Sequence, residues 1–127
     1  FTRHRRLAQG VRLAAQAWGM RLGANAAGLE SETVTAIYVP EGYDANQLVE
    51  HAFNRYDLSL GIGLGEMSRK AFRIGHLGAL TDVLLLAGIA TVEMAMADLD
   101  YPIELGSAVA AAQQPYLQTA VAGGDSA

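Results

Sequence analysis

The chain has 127 residues, of which 51% are hydrophobic and 17% are charged, a composition too apolar for a disordered protein and a length suited to one domain. Nine basic and thirteen acidic residues give a net charge of -4, which argues against a dedicated nucleic-acid binder because phosphate binding needs clustered Lys and Arg. There is no cysteine, so disulfides and thiolate chemistry are excluded, and a cytoplasmic location is the default expectation.

The first segment predicts an amphipathic helix over residues 3–20, with Leu7, Val11 and Trp18 on its apolar face. Its first turn is rich in arginine, which is unfavourable at the positive end of a helix dipole. We therefore expect the helix to begin upstream of Phe1 and the chain to be part of a longer protein. The arginines are followed by an amphipathic pattern rather than an apolar core, so no signal peptide is expected.

The next signals are those of a small sheet. Residues 33–39 are β-branched and aromatic and predict a strand that Pro40 ends. Asp44 provides a capping signal for a helix that should run to about Tyr56. Two further short strands are predicted at residues 58–60 and 71–75. We expect an α+β domain with a mainly antiparallel sheet of three to four strands, covered by helices on one face.

The remaining sequence predicts two helices. Residues 80–97 are apolar on almost every side, so this helix should be covered on more than one side, by the sheet and by a partner missing from a chain this small. Its longest apolar run, residues 83–92, is well short of the ~20 residues that span a bilayer, so no membrane segment is expected. An alanine-rich helix should then begin near Ser107 and be broken by Pro115, and residues 119–127 should form a flexible tail.

The glycine segment between the two short strands is the first candidate site. Gly61, Gly63 and Gly65 follow a predicted strand, which is how a phosphate-binding loop begins. Their spacing lacks the pattern of a dinucleotide fingerprint or a P-loop, so nucleotide binding is a weak alternative. Otherwise these glycines indicate a backbone that bends or lies close to another surface.

Arg73 is the main candidate for ligand binding. Strand alternation puts Phe72 and Ile74 on one face and the Arg73 guanidinium on the other, where Gly75 leaves it uncovered. Such a guanidinium can bind a planar carboxylate through two parallel hydrogen bonds. The alternative is an arginine on a solvated face or paired with a structural carboxylate.

The histidines and the single lysine give weaker signals. His76 lies just beyond the strand and has the chemistry of an acid or base near neutral pH, or it is a hydrogen-bonding residue at the strand end. His4 and His51 lack neighbours at metal-ligand spacing, so no metal site is predicted. Lys70 lies in a charged turn, which does not supply the desolvation that a Schiff-base lysine needs.

Three blocks of sequence together resemble the C-terminal, small domain of class V, fold-type I aminotransferases of the serine–glyoxylate and alanine–glyoxylate type. They are SLGIGLG at 59–65, FRIGHLG at 72–78 and LLLAGIATVEMA at 84–95. The similarity extends to residues 33–40 and covers nearly the whole chain, as a single small domain over residues 1–127.

The resemblance implies a function for the parent enzyme. Arg73 matches the arginine that binds the substrate α-carboxylate, and the segment with Gly61, Gly63 and Gly65 would lie near the mouth of the site. The cofactor would be pyridoxal 5'-phosphate, but its lysine and the large domain are missing, and Lys70 does not match that lysine. We therefore expect no catalytic or cofactor-binding residue in this chain, which alone should be inactive.

Under this resemblance the whole protein is a transaminase that moves an amino group from a serine- or alanine-like amino acid to glyoxylate or another 2-oxo acid. The enzyme would be a homodimer, and the partner of this chain would be its own large domain. An alternative from a different class is a stand-alone α+β module that binds a small carboxylate or mediates dimerisation without catalysis.

Overall fold

The computed structural model describes residues 2–23, 34–75 and 82–121. They form four α-helices and three β-strands. In chain order these are α1 (Thr2–Ala17), β1 (Val34–Tyr38), α2 (Ala45–Tyr56), β2 (Gly61–Ile62), β3 (Ala71–Gly75), α3 (Asp82–Asp98) and α4 (Ser107–Val121). A short 3-10 turn, Gly65–Met67, lies between β2 and β3. The predicted α+β class and the predicted antiparallel sheet are both confirmed.

The sheet has the strand order β1-β3-β2, and both pairings are antiparallel. Ala36 of β1 and Gly61 of β2 lie directly opposite Arg73 of the central strand. A further antiparallel bridge joins Leu22 to Ile37 and extends the sheet beyond β1. The central strand therefore has a hydrogen-bonded neighbour on each side of Arg73.

The two faces of the sheet differ in side-chain size. Ile37, Phe72 and Ile74 are buried on one face, where they belong to the same core as residues of all four helices. Ala36, Gly61 and Arg73 lie on the opposite face, because side chains alternate along a strand. The helices thus cover one face, as predicted, and the residues directly opposite Arg73 on the other face are small.

Helices α1 and α4 pack closely against each other and close the core. A side chain at Gly10 of α1 would overlap the hydroxyl of Tyr116 in α4, so the glycine permits this close approach. Trp18, just after α1, donates its indole N–H to the buried Glu93 carboxylate of α3 at 3.1 Å. These contacts connect the beginning of the described chain to its last helix.

Helix α2 begins and ends where the sequence indicates. The Asp44 carboxylate accepts a hydrogen bond of 2.9 Å from the backbone N–H of Asn46, which caps the helix. The same carboxylate pairs with Arg69, in the turn before β3, at 2.6 Å. Asp57 ends the helix in a left-handed conformation with φ of 60°. The predicted helix from Asp44 to Tyr56 is confirmed.

The strand predicted at residues 58–60 is wrong, and the paired residues are Gly61 and Ile62. The side chains of Leu58 and Leu60 do pack against the core, which explains the alternating apolar signal. The backbone pairing starts only at Gly61, which lies opposite Arg73, although β3 continues to Gly75. The alternating apolar residues at 58–60 thus reflect burial of side chains and not pairing of a strand.

The prediction that Pro115 breaks the last helix is also wrong. Pro115 lies inside α4, which continues to Val121. A proline in a helix removes one backbone hydrogen bond at a cost of about 3 kcal/mol. Ala108, Ala112 and Tyr116 are buried in the core on this helix, and this packing offsets the cost. Residues 119–121 are thus helical, and residues 122–127 of the expected tail lie outside the described residues.

Helix α3 is apolar around its circumference, as predicted. Leu85, Ile89 and Val92 are buried, whereas Val83 is 74% and Leu84 is 54% exposed. The first turn of α3 therefore presents large apolar side chains to solvent in this chain.

No described helix is long and apolar enough to cross a membrane.

Candidate functional site

Arg73 lies in the middle of the central strand, on the sheet face opposite to Phe72 and Ile74. Its neighbours on that face are Ala36 on β1 and Gly61 on β2, neither of which covers the guanidinium with a large side chain. The side chain is half-buried. A cation in this position is held on a strand with hydrogen-bonded neighbours on both sides.

A main-chain hydrogen bond orients the Arg73 side chain. Its Nε–H donates to the carbonyl oxygen of Ile62 at 3.2 Å. A guanidinium can bind a carboxylate either through Nε and one Nη or through its two Nη atoms. Because Ile62 accepts from Nε, the edge with both Nη atoms is the one left for a carboxylate ligand.

Within the described part of the chain, Arg73 has no carboxylate partner. Other arginines there do form ion pairs, namely Arg55 with Asp98 and Arg69 with Asp44. The interpretation of Arg73 as one half of a structural ion pair therefore has no support among the described residues.

The three positions Gly61, Gly63 and Gly65 of the candidate loop hold glycine for different structural reasons. A Cβ on Gly63 would overlap the main-chain carbonyl of Met67, so this glycine permits the tight turn. Gly65 has φ of 59°, and a Cβ there would meet nothing within 4 Å, so its backbone conformation is the reason for glycine. At Gly61 the three atoms nearest to an added Cβ all belong to the side chain of Arg73.

The course of this segment does not favour a phosphate-binding loop. Such a loop leads into the N-terminus of an α-helix, whose free N–H groups bind the phosphate. Here the segment continues into the three-residue 3-10 turn and then into β3. The glycines instead shape a turn and the surroundings of Arg73.

A second polar cluster, which no sequence pattern predicts, joins α2 to the end of α3. Asp98 Oδ2 accepts hydrogen bonds from His51 Nε2 at 2.9 Å and from the Tyr56 hydroxyl at 2.7 Å. The hydrogen bonds from His51 and then Tyr56 lower the pKa of Asp98, and the bond to Asp98 raises the pKa of Tyr56. No sequence spacing signals this cluster, because His51 and Asp98 are 47 positions apart.

A cleft of about 570 Å³ near the ends of β1 and β3 is likewise absent from the sequence predictions. Arg21 and Lys70 are among the residues that line it, and the Arg21 guanidinium stacks over the Tyr38 ring at 4.0 Å. This stacking supplies a cation–π attraction that fixes the arginine. Arg21 thus has an aromatic partner, in contrast to Arg73.

The remaining predicted residues add no described contact to Arg73. His76 lies outside the described residues, and His4 lies in α1. Lys70 is exposed in the turn before β3. Among residues 2–23, 34–75 and 82–121, no group of three or more His, Asp or Glu residues is arranged to hold a metal ion.

Comparison with known proteins gives close relatives. No protein-family model matches the sequence. The chain is 58% identical over 122 residues to the L-aspartate–glyoxylate aminotransferase of Paracoccus denitrificans, covering 96% of this chain and 31% of that protein. It is 47% identical over 118 residues to the serine–glyoxylate aminotransferase of Arabidopsis thaliana, covering 93% of this chain and 29% of that protein.

A solved structure agrees with the sequence relatives. The crystal structure of pyridoxamine–pyruvate aminotransferase from Mesorhizobium loti matches with a TM-score of 0.82 at 28% identity, over 92% of this chain and 30% of that chain. The fold is therefore that of the small α+β domain of aminotransferases. The chain belongs to the class V aminotransferases, to whose C-terminal domain it corresponds, and it spans under a third of the length of these relatives.

The described residues do not fit pyridoxal phosphate, the cofactor of this family. That cofactor needs a desolvated lysine, a partner for its pyridine nitrogen and donors for its phosphate. Lys70 is the sole lysine of the chain and is exposed, so it lacks the desolvation required. None of the residues in the described ranges therefore supplies the desolvated lysine that the cofactor needs.

Proposed function

We propose that this chain is the small domain of a pyridoxal-phosphate-dependent transaminase, and that it supplies the arginine that binds the α-carboxylate of the substrate. The enzyme would transfer an amino group from an amino acid to glyoxylate or another 2-oxo acid. The observation that supports this proposal is the geometry of Arg73, a half-buried arginine in the middle of the central strand whose Nε donates to the Ile62 carbonyl, which leaves the two Nη atoms for a carboxylate.

Binding the carboxylate fixes one end of each substrate. Amino acids and 2-oxo acids share a carboxylate next to the reacting carbon, so a single guanidinium serves both halves of a transamination. Two parallel charge-assisted hydrogen bonds define the direction of the substrate as well as its position. A correctly oriented reacting carbon accounts for a large share of the rate in such reactions.

The names of the relatives support the choice of substrates. Both sequence relatives are named for glyoxylate, whereas one is named for aspartate and the other for serine. We therefore propose glyoxylate as the acceptor and an amino acid with an α-carboxylate as the donor. Assays of the whole enzyme with serine, alanine and aspartate, each against glyoxylate, test this choice.

The decisive experiment on the site is Arg73→Ala in the whole enzyme. We expect the KM for both the amino acid and the oxo acid to rise on the order of 100-fold, because two hydrogen bonds to a charged group are lost. The absorbance of the bound cofactor should stay the same, since the described residues do not bind it. An unchanged KM for both substrates would remove Arg73 from the site.

The chain on its own should not catalyse transamination. Lys70, its sole lysine, is exposed, and no described residue set fits the cofactor. Mixing the purified chain with pyridoxal phosphate, an amino acid and glyoxylate should give no product above the rate of the free cofactor. Turnover well above that background would contradict the assignment.

Three further properties are proposed for the whole enzyme. Its large domain would cover the apolar start of α3, where Val83 and Leu84 are exposed. The family resemblance supports a homodimer, which light scattering on the purified enzyme tests. A cytoplasmic location is proposed on the same basis, and cell fractionation tests it.

A further inference from the structure

Gly61 stands directly opposite Arg73 in the sheet. A Cβ built on Gly61 would lie 3.3 Å from both Cβ and Nε of Arg73 and 3.7 Å from one of its Nη atoms. These are the three nearest atoms to that position, and the first two distances are shorter than an ordinary van der Waals contact. The Arg73 side chain therefore uses the space that a side chain at position 61 would fill.

The backbone at Gly61 gives no other reason for glycine. Its φ lies outside the left-handed region, in contrast to Gly65 with φ of 59°. A side chain at Gly61 would not meet a main-chain atom among its nearest neighbours, whereas one at Gly63 would overlap the Met67 carbonyl. Gly61 differs from the other two glycines in that only its relation to Arg73 explains the missing side chain.

The next residue of the same strand holds the guanidinium. The Ile62 carbonyl accepts from Arg73 Nε at 3.2 Å, and the arginine reaches this carbonyl by passing across Gly61. A methyl group at position 61 would push the side chain by a few tenths of an ångström, and a larger group would break the hydrogen bond. Small displacements of a binding group reduce its effect strongly.

We propose that Gly61 is a positioning residue for Arg73: the missing side chain lets the guanidinium lie across β2, where Ile62 fixes it with its two Nη atoms toward the substrate carboxylate. This inference rests on the proposed function of Arg73. Gly61 itself touches no substrate and acts through the arginine.

The test uses the whole enzyme with Gly61→Ala and Gly61→Val. We expect the KM for the amino acid and for the oxo acid to rise about threefold with alanine and about tenfold or more with valine, as the guanidinium is displaced. Cofactor absorbance and the thermal midpoint should remain those of the parent. The alanine variant adds one methyl group and keeps the test available if the valine variant does not fold.

Two controls separate positioning from a general structural effect. Ala110→Val adds side-chain bulk at an exposed position of α4, away from Arg73, and KM should not change. In the Arg73→Ala background, Gly61→Val should have no further effect on KM, because coupled residues give non-additive effects.

The outcomes distinguish this inference from the function on which it rests. If Arg73→Ala raises KM but Gly61→Val does not, Gly61 is not a positioning residue while the role of Arg73 stands. A Gly61→Val effect of equal size in both backgrounds would overturn the inference in the same way. If Arg73→Ala leaves KM unchanged, the proposed function fails first.

Discussion

The indole N–H of Trp18 donates to Oε2 of Glu93 at 3.1 Å, across 75 positions of the chain. The two carboxylate oxygens of Glu93 also accept from the backbone N–H groups of Gly106 and Ala108, each at 2.9 Å. The glutamate is 2% exposed, and each of its two carboxylate oxygens accepts at least one hydrogen bond, as a buried charged group requires. One buried side chain of α3 therefore caps α4 and holds the residue that follows α1.

Glu93→Gln should destabilise the protein strongly. The amide keeps the shape of the side chain but turns one acceptor into a donor that faces other N–H groups, which costs about 2–3 kcal/mol in a buried site. Trp18→Phe removes one donor only and should cost about 1 kcal/mol, apart from packing. Urea unfolding followed by circular dichroism measures both, and a Glu93→Gln loss smaller than that of Trp18→Phe would contradict this account.

Arg73→Lys tests whether the geometry of the guanidinium matters beyond its charge. A lysine ammonium is a point charge that cannot donate to Ile62 and also present two parallel N–H groups. In the whole enzyme we expect the KM for both substrates to rise about 10-fold or more, closer to Arg73→Ala than to the parent. Steady-state kinetics give the answer, and a KM equal to that of the parent would show that charge alone suffices.

The cluster around Asp98 predicts a pH dependence of stability. Hydrogen bonds from His51 and Tyr56 lower the pKa of Asp98 in the folded state, so the folded protein binds fewer protons there than the unfolded chain, whose carboxyl titrates near pH 3.9. The stabilisation is present above about pH 4 and is lost as the pH falls through the lower folded pKa.

Asp98→Asn should therefore lower the free energy of unfolding at pH 6, and the difference from the parent should narrow below about pH 4. Urea unfolding at intervals between about pH 3 and pH 7 measures this difference. Because the site is at the surface, the effect should also weaken at high salt. A difference that stays constant over the whole range would show that the carboxylate charge is not the cause.

Gly63→Ala should lower the stability of the protein more than Gly61→Ala, although the two glycines are only two positions apart. A Cβ at Gly63 would overlap the Met67 carbonyl, so the turn must shift at a cost of about 2 kcal/mol or more. At Gly61 the neighbour is a flexible arginine side chain, and the cost should stay below about 1 kcal/mol. Thermal unfolding of the two variants compares them, and equal losses would count against the distinction.

Val83→Glu tests whether the exposed start of α3 is covered in the whole enzyme. Val83 is 74% exposed in this chain, and a glutamate in the first turn of a helix is favourable. The thermal midpoint of the chain alone should not fall. In the whole enzyme the midpoint should fall, because a charge would be buried between domains. Equal behaviour of the two proteins would leave α3 without a covering domain.

The local parts of this fold can be predicted from the sequence. The alternation of Phe72, Arg73 and Ile74 predicts which side chain faces away from the core, and Asp44 predicts where α2 begins. Both follow from interactions within a few residues, namely strand alternation and helix capping. For this reason the sequence alone suffices to place Arg73 on the sheet face opposite to Phe72 and Ile74.

Other features depend on distant parts of the chain and left no local signal. The pairing of Gly61 and Ile62 with β3 joins residues about ten positions apart, and the continuation of α4 through Pro115 depends on packing of that helix in the core. The acceptor for Arg73 is the main-chain carbonyl of Ile62. Every residue has such a carbonyl, so the residue type at this position does not indicate the hydrogen bond. The bond between Trp18 and Glu93 joins residues too far apart in the chain for any spacing to indicate it.

The small residues opposite Arg73 also bear on how the proposed enzyme would distinguish its substrates. With alanine and glycine as its lateral neighbours, the arginine would bind the α-carboxylate that all amino acids share without contacts from neighbouring residues to the substrate side chain. Choice among donors must then be made by residues elsewhere in the enzyme. The same arginine–carboxylate interaction can serve enzymes with different amino donors, such as relatives named for aspartate and for serine.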